Sequence, residues 1–245
     1  MFHHPTRHPT STGEPPWDKP YRSRPLMATA LTLTWRNPRA SPVRPWWCCR
    51  KSLGSITIFE RWPMALPWRV SWWWRQPPFQ RAQAGVELGY TPDDMNAGFA
   101  LKTAIEALPA PGVLADIQAA VNYAATTSGG KVGVVGYCWG GLLTWRAATL
   151  LQGVSAAVPY YGGGVTSDVE AARKPNCPVM AHFGDKDHWI PLDTVEAFRR
   201  AQPAVEVHVY AADHGFNCNE RGSYNEAAAN TALERTLAFF NQHLA

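Results

Sequence analysis

Beyond Phe79, short apolar runs alternate with longer stretches in which apolar residues recur every three or four positions. Val132-Gly133-Val134-Val135 is β-branched and too short for a helix, which predicts a buried strand. Leu142, Leu143, Trp145, Ala147 and Leu150 follow at helical spacing. Val154 to Tyr161, Pro178 to Phe183 and Val205 to Tyr210 repeat the strand pattern, the last by strict alternation of valines. Pro191 to Ala201 reads as a helix, and Asn225 to His243 as a long amphipathic one with Leu233, Leu237 and Phe240 apolar. Upstream, Thr91-Pro92-Asp93-Asp94 is a helix start: an N-cap, a proline in the first turn, then acids. That helix runs to about Leu108, with Phe99, Leu101, Ala104, Ile105 and Leu108 inward, until Pro109-Ala110-Pro111-Gly112 breaks it. A second helix covers roughly Val113 to Thr126. Strands alternating with helices predict an α/β fold, a parallel doubly wound sheet with helices on both faces.

Residues 1–78 do not follow this pattern. Proline is too frequent for a helix or a central strand, and the runs Trp46-Trp47-Cys48-Cys49 and Trp72-Trp73-Trp74 match neither period. This segment carries 12 Lys/Arg against 3 Asp/Glu, a balance of +9, whereas the remainder carries 11 against 16, a balance of −5. It also holds 9 of the 12 tryptophans and 13 of the 21 prolines. Two segments of different physical kind follow from such a split: an irregular basic stretch over 1–78 and a domain over 79–245. A basic, Trp-rich tail invites a nucleic-acid or membrane role, but the arginines are scattered and form no stripe, so neither partner is expected. A shifted reading frame accounts for the segment better. Tryptophan has one codon, TGG, so a Trp-Trp pair contains the Val codon GTG one base earlier. Read one base back with suitable codons, Trp46 to Gly54 becomes Val-Val-Val-Leu-Gln-Glu-Ile-Phe-Gly, and Trp72 to Trp74 becomes another Val run. Both have the look of buried parallel strands.

The centre of the chemistry is Gly136-Tyr137-Cys138-Trp139-Gly140-Gly141, set between the first strand and its helix. A nucleophile on a tight strand-to-helix turn is held in a strained conformation that projects it clear of the sheet, and glycines relieve the crowding beside it. The start of the following helix offers free N–H groups and a positive dipole end, which favour a thiolate at Cys138. The alternative is a buried structural cysteine in a parallel strand. Gly184-Asp185-Lys186-Asp187-His188-Trp189-Ile190-Pro191 follows another strand directly, at the edge where α/β sheets place their sites. Asp187 is preferred over Asp185 as the acid, because a hydrophobic turn and Pro191 follow it at once. Ala212-Asp213-His214-Gly215-Phe216 follows the last strand, and His214 alone among eight histidines combines a post-strand loop with a flanking glycine. Nucleophile, acid and histidine occur in the order of the α/β-hydrolases. His214 would then hold Cys138 as a thiolate, Asp187 would orient the imidazole, and the backbone N–H of Trp139 would supply one oxyanion donor.

Composition narrows the setting. Five cysteines, an odd number with no metal-ligand spacing, argue against a disulfide framework or a zinc site and for a reducing compartment. The opening MFHHPTRHPT has no apolar stretch of the secretory kind, and no run approaches the length of a membrane span. A cytoplasmic monomer without cofactor or metal is the expectation.

With these residues in place, the chain from Phe79 onward resembles the dienelactone hydrolase (carboxymethylenebutenolidase) family. The matching stretches are VGVVGYCWGG, VPYYGGG, HFGDKDHWIP and YAADHGFNC. The resemblance implies an α/β-hydrolase fold, a Cys138–Asp187–His214 triad, no cofactor, and hydrolysis of a lactone or small ester through a thioacyl intermediate. It also implies that Arg81 binds a substrate carboxylate and that Tyr160 lines the pocket. An Arg suits that role because its fork binds a carboxylate bidentately. Two departures stand out. The family's second arginine is replaced by Cys218, with Arg221 displaced nearby. Its early Gln-Glu-Ile-Phe-Gly, which helps to build the oxyanion hole, is present only in the shifted reading over 49–54. A catalytically impaired remnant with an incomplete oxyanion hole is therefore the alternative reading.

Overall fold

The computed structural model describes residues 56–60, 74–76, 78–83, 86, 88–128 and 130–245. Two short strands, Ile56–Glu60 (β1) and Trp74–Gln76 (β2), precede a 3-10 turn at Pro78–Arg81. Helices Pro92–Glu106 (α1) and Val113–Ser128 (α2) lead to the strand Val132–Tyr137 (β3) and the helix Trp139–Leu150 (α3). Val154–Tyr160 (β4), the single turn Asp168–Ala171 (α4), Met180–Gly184 (β5), Leu192–Ala201 (α5), Glu206–Tyr210 (β6) and Glu226–Leu244 (α6) complete the order. The strands form one sheet in the order β2-β1-β3-β4-β5-β6.

From β3 to β6 the sheet is parallel, as alternating strands and helices require. Its other edge departs from the expected all-parallel pattern. There β1 runs antiparallel to β3, with Ile56 opposite Gly136 and Glu60 opposite Val132, and β2 runs antiparallel to β1. The stretch that reads as Val-rich strands in the shifted frame, 46–54 and the start of the Trp run at 72–73, lies outside the described residues.

Burial explains why β3 is central. All six of its residues are buried, so it carries no polar face, as expected for a strand covered on both sides. Two glycines of opposite parity let the covering helices approach. A Cβ on Gly133 would come within 2.8 Å of the Phe240 ring on α6. A Cβ on Gly136 would lie 2.2 Å from the backbone oxygen of Gly140 on α3. One face of the strand therefore receives α6 and the other receives α3. On the α3 side, Trp145 is fully buried against the edge of Phe198 from α5, and its indole N–H donates to the Glu170 carbonyl at 3.1 Å.

On the α6 side the core is polar and hydrogen-bonded. The Tyr160 hydroxyl donates to the Ala232 carbonyl at 3.0 Å and pairs with Thr236 Oγ1 at 2.6 Å. His182 Nε2 lies 3.0 Å from the same Thr236 oxygen, and its Nδ1 lies 2.8 Å from the Tyr210 hydroxyl. Burial holds the His182 pKa well below the ordinary histidine value, so the imidazole is neutral. These bonds fix α6 to β4, β5 and β6 in one register.

The caps match the sequence reading: Thr91 and Asp94 form a reciprocal capping box at the start of α1. The inward face predicted for α1 is narrower than expected. Only Gly98 and Ile105 of α1 are buried, while Phe99, and Leu108 just beyond the helix, stay exposed. Leu237 of α6 is likewise exposed, and Thr236, Phe239 and Phe240 take the inner positions.

A substitution test follows from the close approach at β3. Gly136→Ala should destabilise the protein by about 1–3 kcal/mol through overpacking against α3. Gly163→Ala, whose added carbon meets nothing within 4 Å, should leave the thermal midpoint unchanged. Thermal denaturation of both variants against the parent checks this.

Candidate active site

The turn between β3 and α3 places Cys138 in a backbone conformation of φ 56°, ψ −121°. Outside glycine, positive φ costs on the order of 1–3 kcal/mol and is retained only where neighbours enforce it. Here they do: Cys138 N–H donates to the Tyr160 carbonyl at 3.1 Å, and Gly141 N–H donates to the Cys138 carbonyl at 2.9 Å. The thiol is thereby lifted off the sheet at the start of α3, half-buried.

Asp187 sits on the loop after β5 and His214 on the loop after β6, each at the carboxyl edge of the sheet. His214 Nδ1 donates to Asp187 Oδ2 at 2.7 Å, and His214 Nε2 stands 3.2 Å from Cys138 Sγ. Both partners are almost fully buried, Asp187 3% and His214 4% exposed. The second carboxylate oxygen of Asp187 accepts backbone N–H groups of Trp189 at 2.9 Å and Ile190 at 3.2 Å. Asp185 is exposed and makes no such bridge. On the histidine loop, Ser223 Oγ donates to the His214 carbonyl at 2.7 Å, and His214 N–H donates to Asp213 Oδ1 at 2.6 Å. Gly215 takes a φ of 78°, which leaves room for the Arg221 side chain folded back over it.

The charges of the pair depend on each other. Burial alone would push the Cys138 thiol up, but the hydrogen bond and charge of His214, the backbone N–H of Trp139 and the Arg221 guanidinium outweigh it and bring the thiol down. Burial would push His214 down, yet Asp187 and Cys138 hold it up at about 9. Between the lowered thiol and the raised imidazole lies a window in which a thiolate faces an imidazolium.

The other predicted residues fall in different places. The Trp139 backbone N–H lies beside the Cys138 sulfur. The Trp139 indole stacks on Phe79 at 5.7 Å and donates to Glu106 Oε1 at 3.0 Å. The early loop expected to give a second donor lies outside the described residues. Arg81 is half-exposed and grips Asp116 of α2 with both Nε and Nη2, the latter at 2.8 Å. Tyr160 is not brought to the triad, because its hydroxyl is committed to α6 on the far side of the sheet. Its neighbour Tyr161, with φ 33°, packs T-shaped against the His214 ring at 5.1 Å. The adjacency of two tyrosines at a strand end was the only signal for this, and it does not say which one meets His214. Trp189 stacks on His214 at 5.2 Å and 30°. Cys218 donates to the Tyr90 hydroxyl at 3.1 Å, and Arg221 lies over the Tyr90 ring at 5.6 Å. Among the described residues no group of three or more His, Cys, Asp or Glu could hold a metal ion, and no helix is long and apolar enough to cross a membrane.

Comparison with known proteins points in one direction. The profile of the dienelactone hydrolase family matches residues 80–244. A Synechocystis protein provisionally named carboxymethylenebutenolidase is 31% identical over 182 residues, which are 68% of this chain and 72% of that protein. The carboxymethylenebutenolidase of Pseudomonas putida is 36% identical over 130 residues, 51% of this chain and 55% of that one. Among solved structures, a provisionally named dienelactone hydrolase from Klebsiella pneumoniae subsp. pneumoniae superimposes with a TM-score of 0.50 at 36% identity, covering 56% of this chain and 64% of that one. The match spans 72% of the Synechocystis protein but 55% of the Pseudomonas putida protein and 64% of the Klebsiella one.

Alkylation separates the cysteines by environment. At pH 7, Cys138 should react with iodoacetamide well ahead of Cys177, whose thiol burial pushes up to about 12. His214→Ala should remove most of that lead. Peptide mapping of the labelled protein over time gives both rates.

Proposed function

The chain belongs to the dienelactone hydrolase family, and we propose that it hydrolyses a lactone or small carboxylic ester through Cys138, His214 and Asp187. The observation that carries this reading is the unbroken line from the Asp187 carboxylate through His214 to the sulfur, with contacts of 2.7 and 3.2 Å. Such a line belongs to nucleophilic acyl transfer: a nucleophile, a base within reach and a third group orienting the base.

The steps follow from the geometry. The Cys138 thiolate adds to the substrate carbonyl, and the carbonyl π electrons move onto oxygen, facing the Trp139 N–H and the positive end of α3. The tetrahedral adduct collapses, the C–O bond of the ester breaks, and His214 Nε2–H protonates the departing alkoxide. In a lactone that alkoxide stays attached to the acyl group. His214, now neutral, takes a proton from water as the water attacks the thioacyl carbonyl. The C–S bond breaks, a carboxylic acid is released and the thiolate–imidazolium pair is restored. Asp187 stays ionised throughout and stabilises the imidazolium.

Arg81 is our candidate for a substrate carboxylate, as the resemblance implies. Since its fork rests on Asp116, an incoming carboxylate would replace one carboxylate by another.

Turnover of p-nitrophenyl acetate and of an unsaturated five-membered lactone by the purified full chain tests the reading. Cys138→Ala and His214→Ala should each lose at least ~10³-fold in kcat, and Asp187→Asn about 10⁴-fold. Undiminished turnover in Cys138→Ala would end the proposal. The pH dependence carries a definite sign. His214 must be protonated to expel the alkoxide, so kcat/KM should fall as pH rises through about 9, where the imidazolium is lost.

A further inference from the structure

Trp189 touches two members of the triad in two different ways. Its backbone N–H donates to Asp187 Oδ1 at 2.9 Å, which fixes the carboxylate that faces His214. Its indole lies over the His214 ring with centroids 5.2 Å apart and planes 30° from parallel. Tyr161 packs T-shaped against the same imidazole at 5.1 Å and 63°, so two aromatic rings contact it. The sequence identifies Trp189 only as part of the hydrophobic turn after Asp187. Yet this indole is 48% exposed, so burial of its own apolar surface does not account for its place. On its outer side it meets Phe99 of α1 at 5.7 Å, a contact that keeps the indole over the histidine.

Resting on the thiol-hydrolase reading, we propose that Trp189 is a positioning residue for the reaction, its π face holding His214 as the imidazolium that stands opposite the Cys138 thiolate. An aromatic face attracts a cation within about 6 Å of its centroid, and does not attract the neutral ring to the same degree. The charged form is therefore favoured selectively. The other groups facing His214 are few. Asp187 and the Cys138 thiolate support its charge. Asp213 accepts the His214 backbone N–H at 2.6 Å. Arg221 lies over Gly215 beside it. Against this background the indole contributes to one equilibrium only. Thiol ionisation beside an imidazolium has the proton on His214 before and after, so the indole leaves it unchanged. Loss of that proton removes the cation–π attraction, so the indole delays it to higher pH.

The test needs no substrate. The rate of Cys138 alkylation by iodoacetate, followed by peptide mapping across pH, rises as the thiolate forms and falls as the imidazolium is lost. In Trp189→Leu the alkaline limb should move down by about half a pH unit while the acid limb stays in place. Trp189→Phe, which keeps an aromatic face, should restore most of the shift. An alkaline limb unmoved in Trp189→Leu, or moved equally in Trp189→Phe, overturns the proposal, since lost packing would slow the reaction without selecting one limb. The outcome is separable from the functional reading. A profile shifted as described in a protein that turns over no ester would sink the hydrolase assignment and leave the role of Trp189 standing.

Discussion

The site depends on how closely α3 can approach β3. With a hydrogen in place of a side chain at Gly136, the helix backbone comes to a distance that no Cβ would allow. The chain must then reverse from strand to helix within one residue, and that residue is Cys138 at φ 56°. Neither the thiol's position nor its strain is a property of cysteine. Both are imposed by contact between two elements, and both would relax if the elements moved apart. The Cys138 N–H bond to the Tyr160 carbonyl ties the same turn to β4, so the reversal is held from two sides.

The charges of Cys138 and His214 depend on each other and on the groups around them. Each partner is buried deeply enough to prefer neutrality, and each is kept ionised by the other and by groups arranged around them. Asp187 is the anchor of that arrangement. Its two oxygens accept three hydrogen bonds, one from the imidazole and two from the backbone of its own loop. A carboxylate held in this way can orient an imidazole without itself turning. The polar core on the α6 face is a separate device. It keeps His182 neutral and hydrogen-bonded, and it joins the strand ends beneath the loops that carry the triad.

Much of this was legible because the signal was local. Cys138 and Asp187 follow runs of buried strand, His214 follows a strand of alternating valines, and parallel strands bring their following loops to one edge. The capping box at Thr91 was legible for the same reason, since its partners are three residues apart. What escaped depends on distant partners. Arg81 carries a fork suited to a substrate carboxylate, but nothing nearby in sequence announces Asp116, 35 residues away on another helix. Tyr160 and Tyr161 are adjacent and packed together, yet only Tyr161, at positive φ, reaches the His214 ring, and nothing in the sequence tells the two apart. Trp189 reads as a hydrophobic turn until His214 is placed beneath it. The edge of the sheet was misjudged for a further reason: β1 is short, lies in a proline- and tryptophan-rich stretch, and pairs antiparallel where alternation favours parallel strands.

The seating of α6 has a bearing on how the molecule is made. Gly133 lies under Phe240 and Leu244, and the hydroxyl of Tyr160 is satisfied by Ala232 and Thr236. The strand that leads to Cys138 is therefore uncovered on one face, with a polar group of the next strand unpaired, until α6 has been synthesised. On the ribosome the chain would carry an assembled elbow on an unfinished core for the roughly hundred residues that separate β3 from the end of α6, several seconds or more at ordinary elongation rates. Cys138 is thus synthesised well before His214 and Arg221, the groups that bring its thiol down, so its reactivity arises only once the later strands and loops have joined the sheet.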